Sequence, residues 1–157
     1  MKKVEFVVRP ATKKDKDALT DFRYKLDVQE WSKIAHPKEP KKKTEEYVLR
    51  CLKASDYFFF IAEADSKPVG FSAASIEPNG RTKKMQGVFE AIWVEPNYRK
   101  QGIARALSEI RLKKLRQFKP EKISVYIRPG NKASIKNIEG LGGKQIYNVY
   151  ALPTKNK

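Results

Sequence analysis

The stretch Glu95 to Leu107, "EPNYRKQGIARAL", gathers Pro96, Tyr98, Arg99, Lys100 and a lone Gly102 directly before a run with apolar residues at helical spacing. Ordinary helix starts prefer Ser, Thr, Asp or Asn as the cap and acids in the first turn. A helix N-terminus presents unpaired N–H groups and a partial positive charge, so each cation there costs roughly a few tenths of a kcal/mol unless an anion reverses the balance. Gly102 removes the side chain that would hold an anion away from the backbone. The stretch therefore reads as a strand-to-helix junction suited to a phosphate.

Working outward, "MQGVFEAIWV" (Met85 to Val94) predicts the strand that enters this junction. "YFFFIAEA" (Tyr57 to Ala64) is too continuously apolar for a half-wet strand and predicts a buried one. The turn "DSKP" joins it to "VGFSAASI" (Val69 to Ile76), so three antiparallel strands precede the junction. Beyond it, Ile103, Ala106, Leu107, Ile110, Leu115 and Phe118 keep an apolar stripe, with Arg111, Lys113, Lys114 and Arg116 expected on the remaining surface and Pro120 as the stop. "KISVYI" (Lys122 to Ile127) predicts a strand that, reached through a helix, runs parallel to the one before. "NKASIKNIEGL" predicts a short helix ended by Gly142 and Gly143, and "KQIYNVYAL" (Lys144 to Leu152) a last strand that closes the sheet.

Toward the N-terminus, "EFVVRP" (Glu5 to Pro10) predicts a short strand, followed by Thr12 as a cap with Asp15 in capping-box position. Ala18, Leu19, Phe22 and Leu26 then mark an amphipathic helix. Residues Asp27 to Lys43, with two prolines and no clear period, read as an irregular or partly helical connection that could move. "TEEYVLRCLKAS" (Thr44 to Ser55) predicts a second helix capped by Thr44, with Tyr47, Val48, Cys51 and Leu52 on one side. The order β-α-α-β-β-β-α-β-α-β defines an α/β class: a single domain with a mixed, mostly antiparallel sheet flanked by helices. In such sheets ligands sit in crevices at strand carboxyl ends, here Val94 to Ala104.

The 157 residues suit one domain, 1–157, able to bury about two-thirds of its unfolded surface. The formal net charge of +16 predicts attraction to polyanions, whether nucleic acid, an anionic membrane surface or a phosphorylated cofactor, without choosing among them. Runs such as Lys41 to Lys43 read as solvated faces. One cysteine, Cys51, excludes an intrachain disulfide framework and suits a reducing compartment. The N-terminal apolar run is broken by Glu5 and ended by Arg9, and no segment approaches the roughly 20 apolar residues of a membrane span, so a cytoplasmic protein without membrane association is expected. The lone His36 sits before Pro37 and offers no metal constellation.

The pattern Val94-x-Pro96-x-Tyr98-Arg99-Lys100-Gln101-Gly102-Ile103-Ala104-Arg105-Ala106-Leu107 resembles the signature of the GNAT family of N-acetyltransferases, where Q/R-x-x-G-x-G/A cradles the pyrophosphate of acetyl-CoA. The element order resembles that fold from "VVRPATKKD" to the last strand. The resemblance implies acetyl-CoA as cosubstrate, no metal, and transfer of the acetyl group to a primary amine of a small molecule, a protein N-terminus or a lysine, by direct attack in a ternary complex. It implies that the amides from Gln101 through Ile103 and Ala104 to Arg105, with Arg99, Lys100 and Gly102, bind pyrophosphate. Ile92, Trp93 and Val94 would hydrogen-bond the pantetheine arm. Asn131 matches an asparagine near that arm, and it works equally as a plain helix cap. A homodimer is compatible with the family.

About one lysine-like amine in a thousand is neutral at pH 7, so such an enzyme must remove a proton. Glu90, four residues before Val94 and on its face in a regular strand, is where relatives often carry the general base; a cross-strand salt bridge is the plainer role. Many relatives have a tyrosine seven residues after the asparagine that protonates the leaving thiolate, followed by a glycine and an aromatic residue. Here the tyrosine position is Ile138 and the aromatic one is Gly143, leaving Tyr126, Tyr147 or Tyr150 as substitutes. This departure and the charge keep a second reading open: a non-catalytic acyl-CoA-binding or nucleic-acid-associated protein on the same fold. The acceptor site is expected among Asp27 to Lys43, Asn79 to Gln86 and the last hairpin, with Trp31 and Tyr147 as packing surfaces and Asp27, Glu30, Glu77 and Glu90 as local acids.

Overall fold

The computed structural model describes residues 3–31 and 40–154; His36 lies outside them. Strand β1 (Val7–Pro10) leads through one 3-10 turn, Lys13–Asp15, into helix α1 (Lys16–Trp31), then α2 (Lys41–Lys53). Strands β2 (Tyr57–Ala64), β3 (Lys67–Pro78) and β4 (Met85–Val94) follow, then α3 (Ile103–Arg116), β5 (Ile123–Val125) and α4 (Lys132–Gly140). Among the described residues the strands form one sheet in the order β1-β2-β3-β4-β5, antiparallel except for the parallel β4–β5 pair.

Both faces of the sheet are covered, which is why β2 can be apolar at nearly every position. Phe59 and Ile61 pack with Leu19 and Phe22 of α1 and Val48 and Cys51 of α2. Phe60 and Ala62 turn to the other side, against Ile103 and Leu107 of α3. Successive residues of one strand thus serve opposite layers.

The expected alternation fails at two places, between β2 and β3, where Val69 is skipped as Ala62 pairs with Gly70 and Glu63 with Pro68, and in β4. Ala73 pairs with Ala91 while Ala74 pairs with Phe89, so Glu90 is an extra residue, a β-bulge. The bulge reverses the strand's parity. Phe89 packs with Leu115 beneath α3, whereas Ala91 and Trp93 join Phe22 and Phe71 on the α1 side. Glu90 and Val94 therefore do not share a face as a regular strand would require: Val94 packs toward Ile103 and Leu107, and Glu90 turns to Ser75.

One further expectation is sharpened and two need correction. Helix α1 runs on to Trp31, so the first residues of the segment expected to be irregular or partly helical are helical; no proline or glycine interrupts the sequence before Pro37. Helix α2 begins at Lys41, with Pro40 as its cap residue, so Thr44 is a buried residue inside the helix and not its cap. Residues 144–152 form no sixth strand: their apolar side chains do not alternate, β5 offers only three residues of edge, and Ile146, Tyr147, Val149, Tyr150 and Leu152 are exposed.

The capping residue Asp15 was legible and carries more than a cap. Its carboxylate accepts from the Thr12 amide at 2.7 Å and from both terminal nitrogens of Arg9 at 2.8 Å, and the same guanidinium donates to Glu63 on β2 at 2.7 Å. The bonds from Arg9 hold the Asp15 carboxyl below its ordinary value against the opposing effect of burial. A carboxyl depressed in the folded state stabilises the fold above its unfolded value and loses that contribution as pH falls through the folded one. Asp15→Asn is expected to cost about 1–3 kcal/mol at pH 7 and to flatten the loss of stability below about pH 4, measured by urea unfolding across pH.

Candidate active site

Strands β4 and β5 pair only from Gly87–Ile123 to Phe89–Val125, and beyond that point they part. The wedge between them opens a cavity of about 200 Å³. Its walls are Glu90, Ala91 and Ile92 of β4, Tyr126 to Arg128 after β5, and Asn131, Asn137 and Ile138 at and on α4, with Glu30 of α1 at one side.

Past the end of β4 the chain makes a 3-10 turn, Pro96–Tyr98, and then α3 begins. Lys100 (φ 60°) and Gly102 (φ 89°) both take left-handed backbone, a conformation that glycine adopts at little cost and other residues rarely do. Alternating backbone hands of this kind turn successive N–H groups into an anion-binding hollow. The first helical bond is from the Ala106 amide to the Gly102 carbonyl at 3.0 Å, so the amides of residues 103–105 have no helical acceptor. A Cβ at Gly102 would meet no atom within 4 Å. The backbone at Gly102 is therefore open on the side where a side chain would stand.

The side chains divide around this hollow. Arg99, Lys100 and Arg105 are exposed. The Arg99 Nε donates to the Val94 carbonyl at 2.9 Å and its guanidinium lies 4.9 Å from the Trp93 ring centroid. The Arg105 Nε donates to Glu109 at 2.7 Å. Gln101 turns inward, where its Oε1 accepts from the Val4 amide at 3.0 Å, so its side chain anchors the chain start while its backbone borders the hollow. Ile103 is buried under the sheet and Ala104 is half-buried; of the last residues of β4, Ile92 lines the cavity, while Trp93 and Val94 are buried in the layers on opposite sides of the sheet.

Glu90 is exposed at the bulge and accepts from the Ser75 hydroxyl at 2.5 Å. Its cross-strand partner is thus a hydroxyl, and no ion pair engages it among the described residues. Asn131 caps α4, its Oδ1 accepting from the Ser134 amide at 3.2 Å, and also lines the cavity. Ile138 faces the cavity from α4, with Gly143 closing over it: the Gly143 amide donates to the Ile138 carbonyl at 3.0 Å. Of the three tyrosines, Tyr126 lines the cavity, while Tyr147 and Tyr150 are exposed and are not part of its wall.

Three residues at or beside the cavity were not singled out by the sequence as part of a site. Ser75 carries the carboxylate of Glu90, and Asn137 donates to Ser108 at 2.7 Å. Arg111, expected on the solvent face of α3, is buried, 2% exposed, and lines the cavity. Its signal was present: Ile103, Leu107, Arg111 and Leu115 recur every fourth residue, so the arginine lies on the buried stripe.

The site thus combines an amide-lined, cation-flanked helix start at the carboxyl end of β4 with a wedge that carries the Glu90 carboxylate at its mouth. A family model described as acetyltransferase (GNAT) family matches residues 24–142, and the chain belongs to that family, whose members are acetyl-CoA-dependent N-acetyltransferases. Solved structures share the fold at low identity. An aminoglycoside N-acetyltransferase, AAC(6')-Iy, in complex with CoA is 23% identical, with 98% of this chain and 97% of that one covered and a TM-score of 0.78. Aminoglycoside 6'-N-acetyltransferase AAC(6')-IG from Acinetobacter haemolyticus is 19% identical, with 96% and 99% covered and a TM-score of 0.74. A possible acetyltransferase from Clostridium difficile 630 is 16% identical, with 96% and 99% covered and a TM-score of 0.76. No curated protein matches the chain.

The left-handed backbone at Gly102 gives a direct check on the hollow. Gly102→Ala is expected to lower stability by about 1–2 kcal/mol through backbone strain alone, since its methyl group meets no neighbour, as read by chemical denaturation.

Proposed function

We propose that residues 1–157 form one N-acetyltransferase domain in which Glu90 is the general base and the β4–α3 junction holds the pyrophosphate of acetyl-CoA. Bound acetyl-CoA supplies an acetyl group activated as a thioester. The amides of residues 101–105 and the exposed Arg99, Lys100 and Arg105 offset the phosphate charge, with Gly102 admitting close approach. The parted end of β4, at Ile92 to Val94, offers backbone to the pantetheine arm, and Asn131 stands across the wedge from it.

The observation that carries the catalytic assignment is the bulge: it delivers to the cavity mouth a carboxylate that has no cationic partner among the described residues. A carboxylate there can take the proton that an amine must lose on attack, directly or through a water. Ser75 holds the carboxylate in one place through its hydroxyl. The acceptor is an amine. The other acids near the wedge are already matched, Glu30 with Arg128 at 3.0 Å and Asp27 with Arg23 at 3.0 Å, so Glu90 is the acid left for it.

No helix of the described residues is long and apolar enough to cross a membrane; the single cysteine, which allows no intrachain disulfide, suits a reducing, cytoplasmic location. Isothermal titration with acetyl-CoA is expected to show micromolar binding that Gly102→Glu abolishes. Glu90→Gln is expected to keep that binding and to lower turnover of an amine acceptor by about 10²- to 10⁴-fold. Unchanged turnover in a folded Glu90→Gln protein removes the base assignment, and absence of acetyl-CoA binding by the wild type removes the site itself.

A further inference from the structure

Arg111 is a guanidinium buried at the cavity between β4 and β5, with no counter-ion among the described residues. Its Nη1 donates to the carbonyls of Ala91 (3.1 Å) and Ala73 (3.4 Å), and its Nη2 to the Ser108 hydroxyl (2.9 Å). Its Cζ lies 3.9 Å from the Phe89 ring centroid, and its buried Nε has no acceptor. Neutral dipoles and a ring satisfy most of its N–H groups, but they do not neutralise its charge. Burying an unpaired cation is costly, and burial lowers its pKa to about 9. A position that retains such a charge is suited to a negative charge that arises only during function.

The cavity indicates which charge. Arg111 lines it together with Ile138, which offers no proton. The Ser108 hydroxyl that accepts from Arg111 also accepts from Asn137, so the guanidinium is tied to α4 one residue before position 138. The other titratable or charged groups around it are Glu90 on β4, held by Ser75; Glu30 on α1, paired with Arg128 from the segment after β5; Tyr126 from that same segment; and Tyr57 on β2, whose hydroxyl bonds to that of Tyr47. None of them forms an ion pair with Arg111.

We propose that Arg111 supplies the positive charge that stabilises the sulfur of the acetyl donor as it departs as a thiolate. This rests on the acetyl-transfer reading above. In the step, the amine nitrogen forms a bond to the thioester carbonyl carbon and passes a proton to Glu90. The carbon–sulfur bond breaks with its electron pair on sulfur, and the thiolate later takes a proton from solvent. In the low dielectric of the cavity a fixed cation lowers the energy of that thiolate far more than it would in water. A proton donor at position 138 is then unnecessary.

The proposal is tested by titrating the protein with CoA and with desulfo-CoA between pH 6 and 8.5 and following the ratio of their affinities. Desulfo-CoA shares every phosphate and amide contact, so the ratio isolates the thiol. A group whose pKa is lower when bound favours binding more strongly as pH rises from the bound value to the free one. A thiol whose pKa falls by one unit from about 8.5 gives a ratio that rises about fivefold over this range. That rise is expected in the wild type and in Arg111→Lys, with a flat ratio in Arg111→Gln. A flat ratio in the wild type, or the full rise retained in Arg111→Gln, overturns the role of Arg111. Failure of both ligands to bind the wild type at any pH instead overturns the acetyl-transfer reading. The wild-type ratio needs no substitution, so a variant that fails to fold does not shield the proposal.

Discussion

One extra residue in β4 governs the arrangement of this molecule. Had β4 been regular, Phe89, Ala91 and Trp93 would share a face; the bulge at Glu90 sends Phe89 to the α3 layer and the other two to the α1 layer. It also marks where β4 and β5 stop pairing, so the wedge opens at the point where the strand changes hand. Arg111 reaches through from α3 to the carbonyls of Ala73 and Ala91, the pair that flanks the irregularity. The bulge, the wedge and the buried cation are thus one construction, in which a break in the ladder exposes backbone and a side chain from the neighbouring layer satisfies it.

The proposed cosubstrate end of the site depends on a different principle. It uses backbone rather than side chains, and so it requires the left-handed conformation at Lys100 and Gly102. The side chains nearby are committed elsewhere: Gln101 to Val4, Arg99 to the Val94 carbonyl and the Trp93 ring, Arg105 to Glu109. Their charges remain close to the helix start while their positions are held by the protein.

What could be read in the sequence follows from range. An element with a strong local period, such as α3, apolar runs bounded by turn residues, such as β2, and chemistry written in neighbouring residues, such as the Asp15 cap and the turn at Gly102, were legible because nearby residues decide them. Helix α1 continues to Trp31 although its apolar period fades after Leu26, because no proline or glycine interrupts the sequence before Pro37. The bulge at Glu90 was invisible because pairing with β3, not β4's own residues, determines it. Arg111 was assigned to solvent by its charge, against the fourfold spacing that placed it on the buried stripe. The expected strand at 144–152 relied on apolar content without alternation and without a partner edge long enough to receive it.

Cys51 acquires a meaning from the chemistry proposed nearby. A protein that handles a thioester exposes any thiol of its own to exchange with it, and an accessible thiolate would capture the acyl group or form a mixed disulfide with the released carrier. The only thiol in this chain is 7% exposed, packed between α2 and the sheet, and burial pushes its pKa up. It stays protonated and out of reach, a poor nucleophile in both respects. The packing of α2 therefore also acts as chemical insulation, keeping acyl traffic on the acceptor's path and off the protein itself.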